Sequence, residues 1–421
     1  MRRKIISREE KKTILENFSS LSALQTINYL LPLIILPYLI RVIGPEKFGL
    51  IAFAQALTQY FVILTDYGFS LSATKKIALA GLHRNKAQTT FSSVMTIKFM
   101  ITAISFILFL IIISAVPKFS RDWMVYFLSF GTVTGNTLFP LWFFQGKEKM
   151  KYIAAINLAS GAAYTISLFL LVKGPENYLL VPLLTSFFAI LTGISGFHIA
   201  FKKFGLEFID QKRKIIHEEL KSGWSFFISI VAINAYTASR IFAVGLLTNN
   251  VTTGYYSIAE RMASAIQTFP LASLSQAIYP RLSRIFSKSK KRAFNIMRRL
   301  QNSITLIYLI IIPIIFLLAP ITVKIFCGQN YPEVTLSLRL LLISVFFVVS
   351  NTFRVQFLLV AGRPDIYAKI HIAAAIIGLP IIFLLIEYFY YPGAAVATII
   401  TEGGVLFLTI QIIKELKSLI S

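Results

Sequence analysis

Five basic residues lie inside long apolar segments of this sequence, where a charged side chain needs a physical reason to be kept. They are Lys98, Arg240, Arg261, Arg339 and Arg354. A charge at the centre of a bilayer costs on the order of 2.5–3.5 kcal/mol on insertion scales, and it is retained where it faces a wet cavity or a partner. The planar donor fork of arginine matches phosphate and carboxylate groups. Arg339 lies near the end of its segment, where its charge can extend to the interface. The other four residues predict anion binding, with phosphate or pyrophosphate as the best match.

Helical spacing places several of these basic residues on polar stripes. Tyr236 and Arg240 are four residues apart, so they share one face of a helix. Asn351 and Arg354 are three apart and share a face in another segment. We therefore predict a cationic, water-filled cavity, mainly in the C-terminal half. The predicted substrate-binding residues are Arg240, Arg261, Arg354, Lys98, Asn351 and Tyr236.

Acidic residues are scarce in the same apolar segments. Gln55, Gln59 and Asp66 fall on one stripe, and we predict that Asp66 closes the external side of this polar face as a gate or cation-coupling residue. Glu260 is assigned the same role. Two other interpretations stay open at this stage. The arginines can instead pair with carboxylates such as Glu260 or Glu402, and Asp66 is equally consistent with a helix-end residue in water.

The apolar segments themselves predict an all-α polytopic membrane protein. Hydrophobic residues make up 56% of the chain and charged residues 14%, with a mean hydropathy of +0.72. About 20 apolar residues span the hydrocarbon core of a bilayer. Twelve such windows divide into two sets of six, which predicts an N-terminal lobe at 1–201, a cytoplasmic linker at 202–221 and a C-terminal lobe at 222–421. The windows are 18–40, 48–66, 90–116, 123–144, 152–172, 178–201, 224–247, 251–279, 304–326, 336–360, 367–389 and 393–413.

The net charge of +24 is distributed as in a membrane protein, so it does not indicate a nucleic-acid partner. One set of alternate loops holds 31 Lys and Arg residues and the other holds six. The positive-inside rule then places both termini in the cytoplasm. The single Cys327 excludes a disulfide within the chain, and the four histidines show no metal-ligand spacing. We expect no metal and no cofactor apart from a coupling proton or sodium ion.

The two halves of the sequence resemble each other weakly. Residues 49–55 align with 254–260, each beginning with glycine. Asn136 and Asn351 also occupy corresponding places in the fourth span of each half. A duplicated six-helix unit is a transporter signature, with the substrate site between the repeats.

Four segments carry a resemblance to a known family. Residues 66–70, 142–150, 254–261 and 275–281 resemble the Wzx-type O-antigen and polysaccharide repeat-unit flippases, a branch of the multidrug/oligosaccharidyl-lipid/polysaccharide exporter superfamily. The resemblance covers essentially the whole chain and implies a twelve-helix, two-lobe, MATE-like fold in the bacterial inner membrane. It also implies undecaprenyl-pyrophosphate-linked oligosaccharide as the substrate, moved from the cytoplasmic to the periplasmic leaflet. A polysaccharide polymerase and a chain-length regulator are the expected protein partners, together with membrane lipids.

Two other functions compete with a flippase that works by alternating access. A multidrug or cation exporter of the same superfamily is disfavoured because the predicted cavity is cationic. A membrane-embedded polysaccharide-assembly enzyme is disfavoured because no large external loop and no catalytic constellation are evident. The sequence therefore predicts a transporter rather than an enzyme.

Overall fold

The computed structural model describes the backbone of residues 8–81 and 83–420. Side chains are described from 31 to 416, except at positions 82, 229, 232, 233, 235–237, 269, 270, 272, 273, 276, 277, 279 and 280. This part of the chain contains helices and no strand. The predicted all-α fold is therefore confirmed. The helices are α1 (Arg8–Asp66), α2 (Phe69–Ala80), α3 (Arg84–Ala115), α4 (Pro117–Ser120), α5 (Trp123–Leu138), α6 (Leu141–Gly146), α7 (Met150–Leu171), α8 (Leu180–Phe204), α9 (Arg213–Thr237), α10 (Ser239–Leu247), α11 (Asn250–Phe286), α12 (Lys290–Leu317), α13 (Ala319–Cys327), α14 (Pro332–Val349), α15 (Thr352–Val360) and α16 (Pro364–Ile420).

Each of the twelve predicted apolar windows falls on one or two of these helices. By length and composition, seven helical stretches among the described residues could cross a membrane. Two of them, Leu31–Ala80 and Pro364–Leu416, contain 50 and 53 residues. At 1.5 Å per residue these exceed twice the thickness of the ~30 Å hydrocarbon core. Each is interrupted by non-helical backbone, at Gly44 (φ 74°) and at Tyr390 (φ 53°) respectively.

Contacts divide the chain into two compact units, which are not contiguous in sequence. Unit 1 contains residues 1–35 and 54–231, and unit 2 contains 36–53 and 232–421. Part of α1 therefore belongs to each unit. The predicted lobe boundaries at the 202–221 linker stay a prediction.

The core of unit 1 is rich in aromatic side chains. The ring of Phe91 on α3 lies 5.7 Å from that of Trp142 on α6 and 5.7 Å from that of Phe201 on α8. Close helix packing also needs glycine here, because a Cβ at Gly135 on α5 would lie 2.4 Å from the backbone of Ala189 on α8. Small residues permit this approach of two membrane helices.

In unit 2, two helices approach each other at a pair of glycines. A Cβ on Gly49 of α1 would lie 2.0 Å from the carbonyl oxygen of Asn250, and one on Gly254 of α11 would lie 2.0 Å from that of Pro45. The Gly49 Cβ would also lie 2.4 Å from the Gly254 nitrogen. Gly49 and Gly254 are the first residues of the two aligned repeat segments, so equivalent positions of the two halves meet in this contact.

Candidate functional site

Unit 2 encloses a polar cavity of about 480 Å³. Its walls come from α10, α11, α14, α15 and α16. Charged and polar side chains share the lining with a few apolar ones. The lining residues are Arg240, Glu260, Ser264, Gln267, Phe347, Val348, Asn351, Thr352, Val355, Tyr367, His371, Glu402 and Val405.

Arg240 and Glu402, which both line this cavity, form an ion pair. Nη2 of Arg240 lies 2.7 Å from Oε1 of Glu402, and the two side chains are 13% and 11% exposed. Both charges are largely removed from solvent, so each depends on the other for compensation. The sequence allowed either a cavity arginine or an ion-pair arginine at this position. In the structure Arg240 has both properties.

Glu260 and Arg261 are neighbours on α11, but only Glu260 lines the cavity. Consecutive residues on a helix point about 100° apart, which accounts for the difference. Glu260 interacts electrostatically with both Arg240 and Arg261. The guanidinium of Arg261 lies 5.3 Å from the centre of the Phe48 ring, which is a cation–π contact.

The lining of this cavity differs from the expected cationic one. It contains one arginine and two carboxylates, Glu260 and Glu402. The predicted residues Arg240 and Asn351 are both present. The Asn351 side chain is 5% exposed and donates to Oγ1 of Thr409 over 3.2 Å. The predicted residue Tyr236 lies outside the described side chains.

Arg354 lines a second cavity of unit 2, of about 350 Å³, which does not include Arg240. Two further basic residues, Arg298 and Lys414, line this second cavity. Asn351, predicted to share a helix face with Arg354, is the residue that precedes α15, on which Arg354 lies. They border different spaces, so the structure does not bring Arg240, Arg261 and Arg354 together in one cavity of unit 2.

The predicted charged residues of unit 1 lie near one end of α1. Asp66, the last residue of α1, accepts a hydrogen bond of 2.8 Å from Ser70 on α2. Lys98 on α3 is 3% exposed, donates to the carbonyl oxygen of Asn136 over 3.3 Å and interacts electrostatically with Asp66. Asp66 directly precedes the basic segment 71–89, which is predicted to be cytoplasmic. The predicted orientation returns the second span to the side where the chain begins, so it disagrees with the external placement predicted for Asp66, and both stay predictions.

Sequence patterns pointed to only part of the polar cavity. Glu402 was recognised as a possible partner because it is a carboxylate in an apolar segment. Gln267 and His371 were not singled out, although a polar side chain inside a predicted span is the signal that could have found them. Among the described residues, no cluster of His, Cys, Asp and Glu could hold a metal ion.

Comparison with protein families gives a match over most of the chain. A family model described as "Polysaccharide biosynthesis protein" matches residues 14–286. A relative named "Putative O-antigen transporter" from Escherichia coli (strain K12) is 28% identical over 97% of this chain and 99% of its own length. A relative with the same name from Shigella dysenteriae is 25% identical over 92% of this chain and 96% of its own.

Solved structures with the same fold are membrane transporters. An inward-facing multidrug resistance MATE family transporter of the MOP superfamily has a TM-score of 0.72 at 12% identity, covering 96% of this chain and 99% of its own. The lipid II flippase MurJ in an inward closed conformation also has a TM-score of 0.72, at 14% identity, covering 93% and 87%. At such low identity the likeness shows the fold, and the predicted MATE-like fold is confirmed.

Proposed function

We infer, since this chain belongs to the polysaccharide biosynthesis protein family, that it is a flippase for lipid-linked oligosaccharide. The match over residues 14–286 is the observation that carries this proposal. The substrate we propose is an undecaprenyl-pyrophosphate-linked repeat unit of O-antigen or another surface polysaccharide. It would move from the cytoplasmic to the periplasmic leaflet of a bacterial inner membrane. The relatives named for O-antigen transport and the fold shared with a lipid II flippase support this substrate class.

The fold by itself does not separate the flippase from a multidrug exporter, because both kinds of structure match with a TM-score of 0.72. The sequence relatives favour the flippase, since both are named for O-antigen. In the proposed mechanism the two halves of the chain rock between inward and outward states, which is how transporters built from repeats expose a site alternately to each side. A polysaccharide polymerase and a chain-length regulator would use the flipped product.

We propose Arg261 as the residue of unit 2 that attracts the pyrophosphate. It lies in one of the segments that resemble the flippases, and its guanidinium offers a charged donor fork. Its guanidinium stacks on Phe48 and also interacts electrostatically with Glu260. Arg240, by contrast, is engaged by Glu402. In this proposal Arg240 positions the carboxylates of the cavity.

We propose that the carboxylates of the polar cavity couple transport to a proton or sodium gradient. Glu260 and Glu402 are the two carboxylates of the cavity lining, so they are the groups there that a cation can neutralise. A low-dielectric site makes such neutralisation favourable. In unit 1 the Asp66 and Lys98 charges form a second candidate for coupling.

The function is tested in a strain that lacks this protein and is supplied with it on a plasmid. We expect the deletion to cause lipid-linked repeat units to accumulate in the cytoplasmic leaflet, where a membrane-impermeant glycosidase added from outside cannot reach them. Restoring the protein should restore access and surface polysaccharide. Accumulated intermediates that are fully accessible from the periplasm would contradict the flippase and indicate an enzyme acting later.

A further inference from the structure

A second cavity in unit 2 has a charge composition that suits a phosphate group. Arg298 on α12, Arg354 on α15 and Lys414 on α16 line this space, of about 350 Å³, and its lining has no carboxylate. Among the residues that the structure describes, the ion pairs do not involve any of the three. The volume of this second cavity lies at the lower end of the ~300–1,000 Å³ typical of ligand pockets. Three unpaired cations around one space bind an anion more readily than a neutral group.

Gln301, a buried residue of this pocket lining, makes hydrogen bonds that hold part of the lining in place. Gln301 on α12 is 1% exposed, and its Nε2 donates to the carbonyl oxygen of Val349 over 3.0 Å. Its Oε1 accepts from the Phe353 amide over 2.9 Å. These bonds join α12 to the start of α15, immediately beside Arg354. The guanidinium of Arg354 also donates to the Ser350 carbonyl oxygen one turn earlier. These bonds fix the part of the lining that carries Arg354, while Arg298 and Lys414 contribute exposed side chains.

Two apolar stripes lead away from the pocket along the helices that line it. On α12, Arg298 is followed at intervals of four by Asn302, Leu306 and Ile310, and the last two are 61% and 65% exposed. On α16, Lys414 is preceded at intervals of seven by Phe407 and Ile400, which are 60% and 47% exposed. Residues at these spacings share one helix face. The α12 stripe is polar at Arg298 and Asn302 and apolar beyond them, and the α16 stripe is basic at Lys414 and apolar at Phe407 and Ile400.

The pocket lies at the end of the helices predicted to face the cytoplasm, since Arg298 and Lys414 belong to the basic set of loops. Basic pockets between membrane helices on that side are suited to anionic lipid headgroups. A glycerophospholipid has two acyl chains and one phosphate, which matches two apolar stripes and one cationic pocket. A polyprenyl lipid has a single chain. We propose that Arg298, Arg354 and Lys414 bind the phosphate headgroup of an anionic membrane phospholipid, separately from the transported substrate.

The test uses the full-length protein in nanodiscs of phosphatidylcholine, titrated with phosphatidylglycerol and followed by native mass spectrometry of retained lipid. The pocket variant is R298Q/K414Q. Its matched control is R292Q/R299Q, which removes two exposed arginines of α12 that do not line the pocket. We expect the pocket variant to bind phosphatidylglycerol at least about tenfold more weakly and the control to change less than about twofold. Should the double variant fail to accumulate, K414Q alone is expected to weaken binding about threefold.

Three results would overturn the proposal. Equal losses in the pocket and control variants would indicate general attraction to a negative surface. Displacement of phosphatidylglycerol by millimolar inorganic phosphate or pyrophosphate, without any requirement for lipid chains, would indicate a site for a free anion. Displacement by undecaprenyl pyrophosphate at equal concentration would assign the pocket to the substrate. Only the last result bears on the transported lipid, and none of the three contradicts the flippase function itself.

Discussion

Arg240 and Glu402 lie on α10 and α16, and their 2.7 Å ion pair joins two segments that are 162 residues apart in sequence. Removing one member leaves the other as a buried charge without compensation. Such a loss costs about 3–5 kcal/mol, whereas removing both members is much less destabilising. We therefore expect Arg240→Ala to lower the thermal stability of the purified protein and Arg240→Ala/Glu402→Ala to recover most of it. Transport should be lost in both variants, because the cavity carboxylates lose their positioning or their charge.

An exposed pair supplies the control for this stability measurement. Arg363 and Asp365 are 3.3 Å apart, with side chains 44% and 52% exposed. Exposed pairs contribute little to stability because solvent screens them. Arg363→Ala should accordingly leave the unfolding temperature almost unchanged. Equal destabilisation by Arg240→Ala and Arg363→Ala would contradict the importance assigned to the buried pair.

The proposed role of Arg261 predicts a graded response to substitution. Arg261→Lys keeps the charge but loses the planar fork, and Arg261→Ala loses both. We expect complementation of surface polysaccharide to fall in the order Arg, Lys, Ala at constant abundance in the membrane. Arg339 is the control, because it stacks on Phe316 at 5.2 Å and donates to the Phe316 carbonyl oxygen. Its substitution should change abundance and activity together. Normal complementation by Arg261→Ala at normal abundance would refute a pyrophosphate contact.

The coupling proposal predicts that neutral substitutes uncouple transport from the gradient. Glu260→Gln and Asp66→Asn keep the size of each side chain but cannot bind and release a proton or a sodium ion. We expect flipping in proteoliposomes to be slower and to lose its dependence on an imposed proton or sodium gradient. Glu387→Gln changes an exposed carboxylate and should behave as wild type. Full gradient dependence in Asp66→Asn would assign Asp66 a structural role.

At the scale of helices, the approach of α1 and α11 depends on glycine at two equivalent repeat positions. In Gly254→Ala the new Cβ would lie 2.0 Å from the Pro45 carbonyl oxygen, so backbone would have to move. We expect a large loss of folded protein, measured as abundance in the membrane and monodispersity after extraction. Gly404→Ala on α16 meets no atom within 4 Å and should be tolerated, since alanine favours helix over glycine. Tolerance of Gly254→Ala would mean that the two helices can separate at this contact.

The apolar spans can be predicted from the sequence more readily than the breaks in the long helices. Each apolar window is visible as composition over about 20 residues, and helices follow because backbone groups must be satisfied inside a bilayer. The breaks at Gly44 and Tyr390 are less visible. Glycine at 44 permits a positive φ, but Tyr390 takes a backbone conformation that its residue type does not indicate.

For the whole molecule, the distribution of basic residues predicts the orientation in the membrane. In a background with Cys327→Ala, single cysteines at Asn249 and Pro117 should react with an impermeant thiol reagent added from outside. Cysteines at Ser289 and Gln211 should react only after the membrane is permeabilised. The physical reason is that basic loops are retained on the cytoplasmic side. External labelling at Ser289 would contradict the orientation.

The sequence by itself determined the class of protein, the positions of the helical segments and the resemblance to a flippase family, because these depend on local composition and on short motifs. Helical periodicity placed Asn351 and Arg354 on one face of a single helix, whereas in the structure Asn351 lies between α14 and α15 and Arg354 lies within α15. Periodicity could not show that Asn351 faces a cavity with Glu260 and Glu402 while Arg354 faces one with Arg298 and Lys414. Periodicity defines the faces of a single helix, whereas the partners of each face depend on which helices pack against it. Only the tertiary structure decided that Arg240 and Arg354, predicted to act together with Arg261, line separate cavities of unit 2 and that Arg261 lines neither.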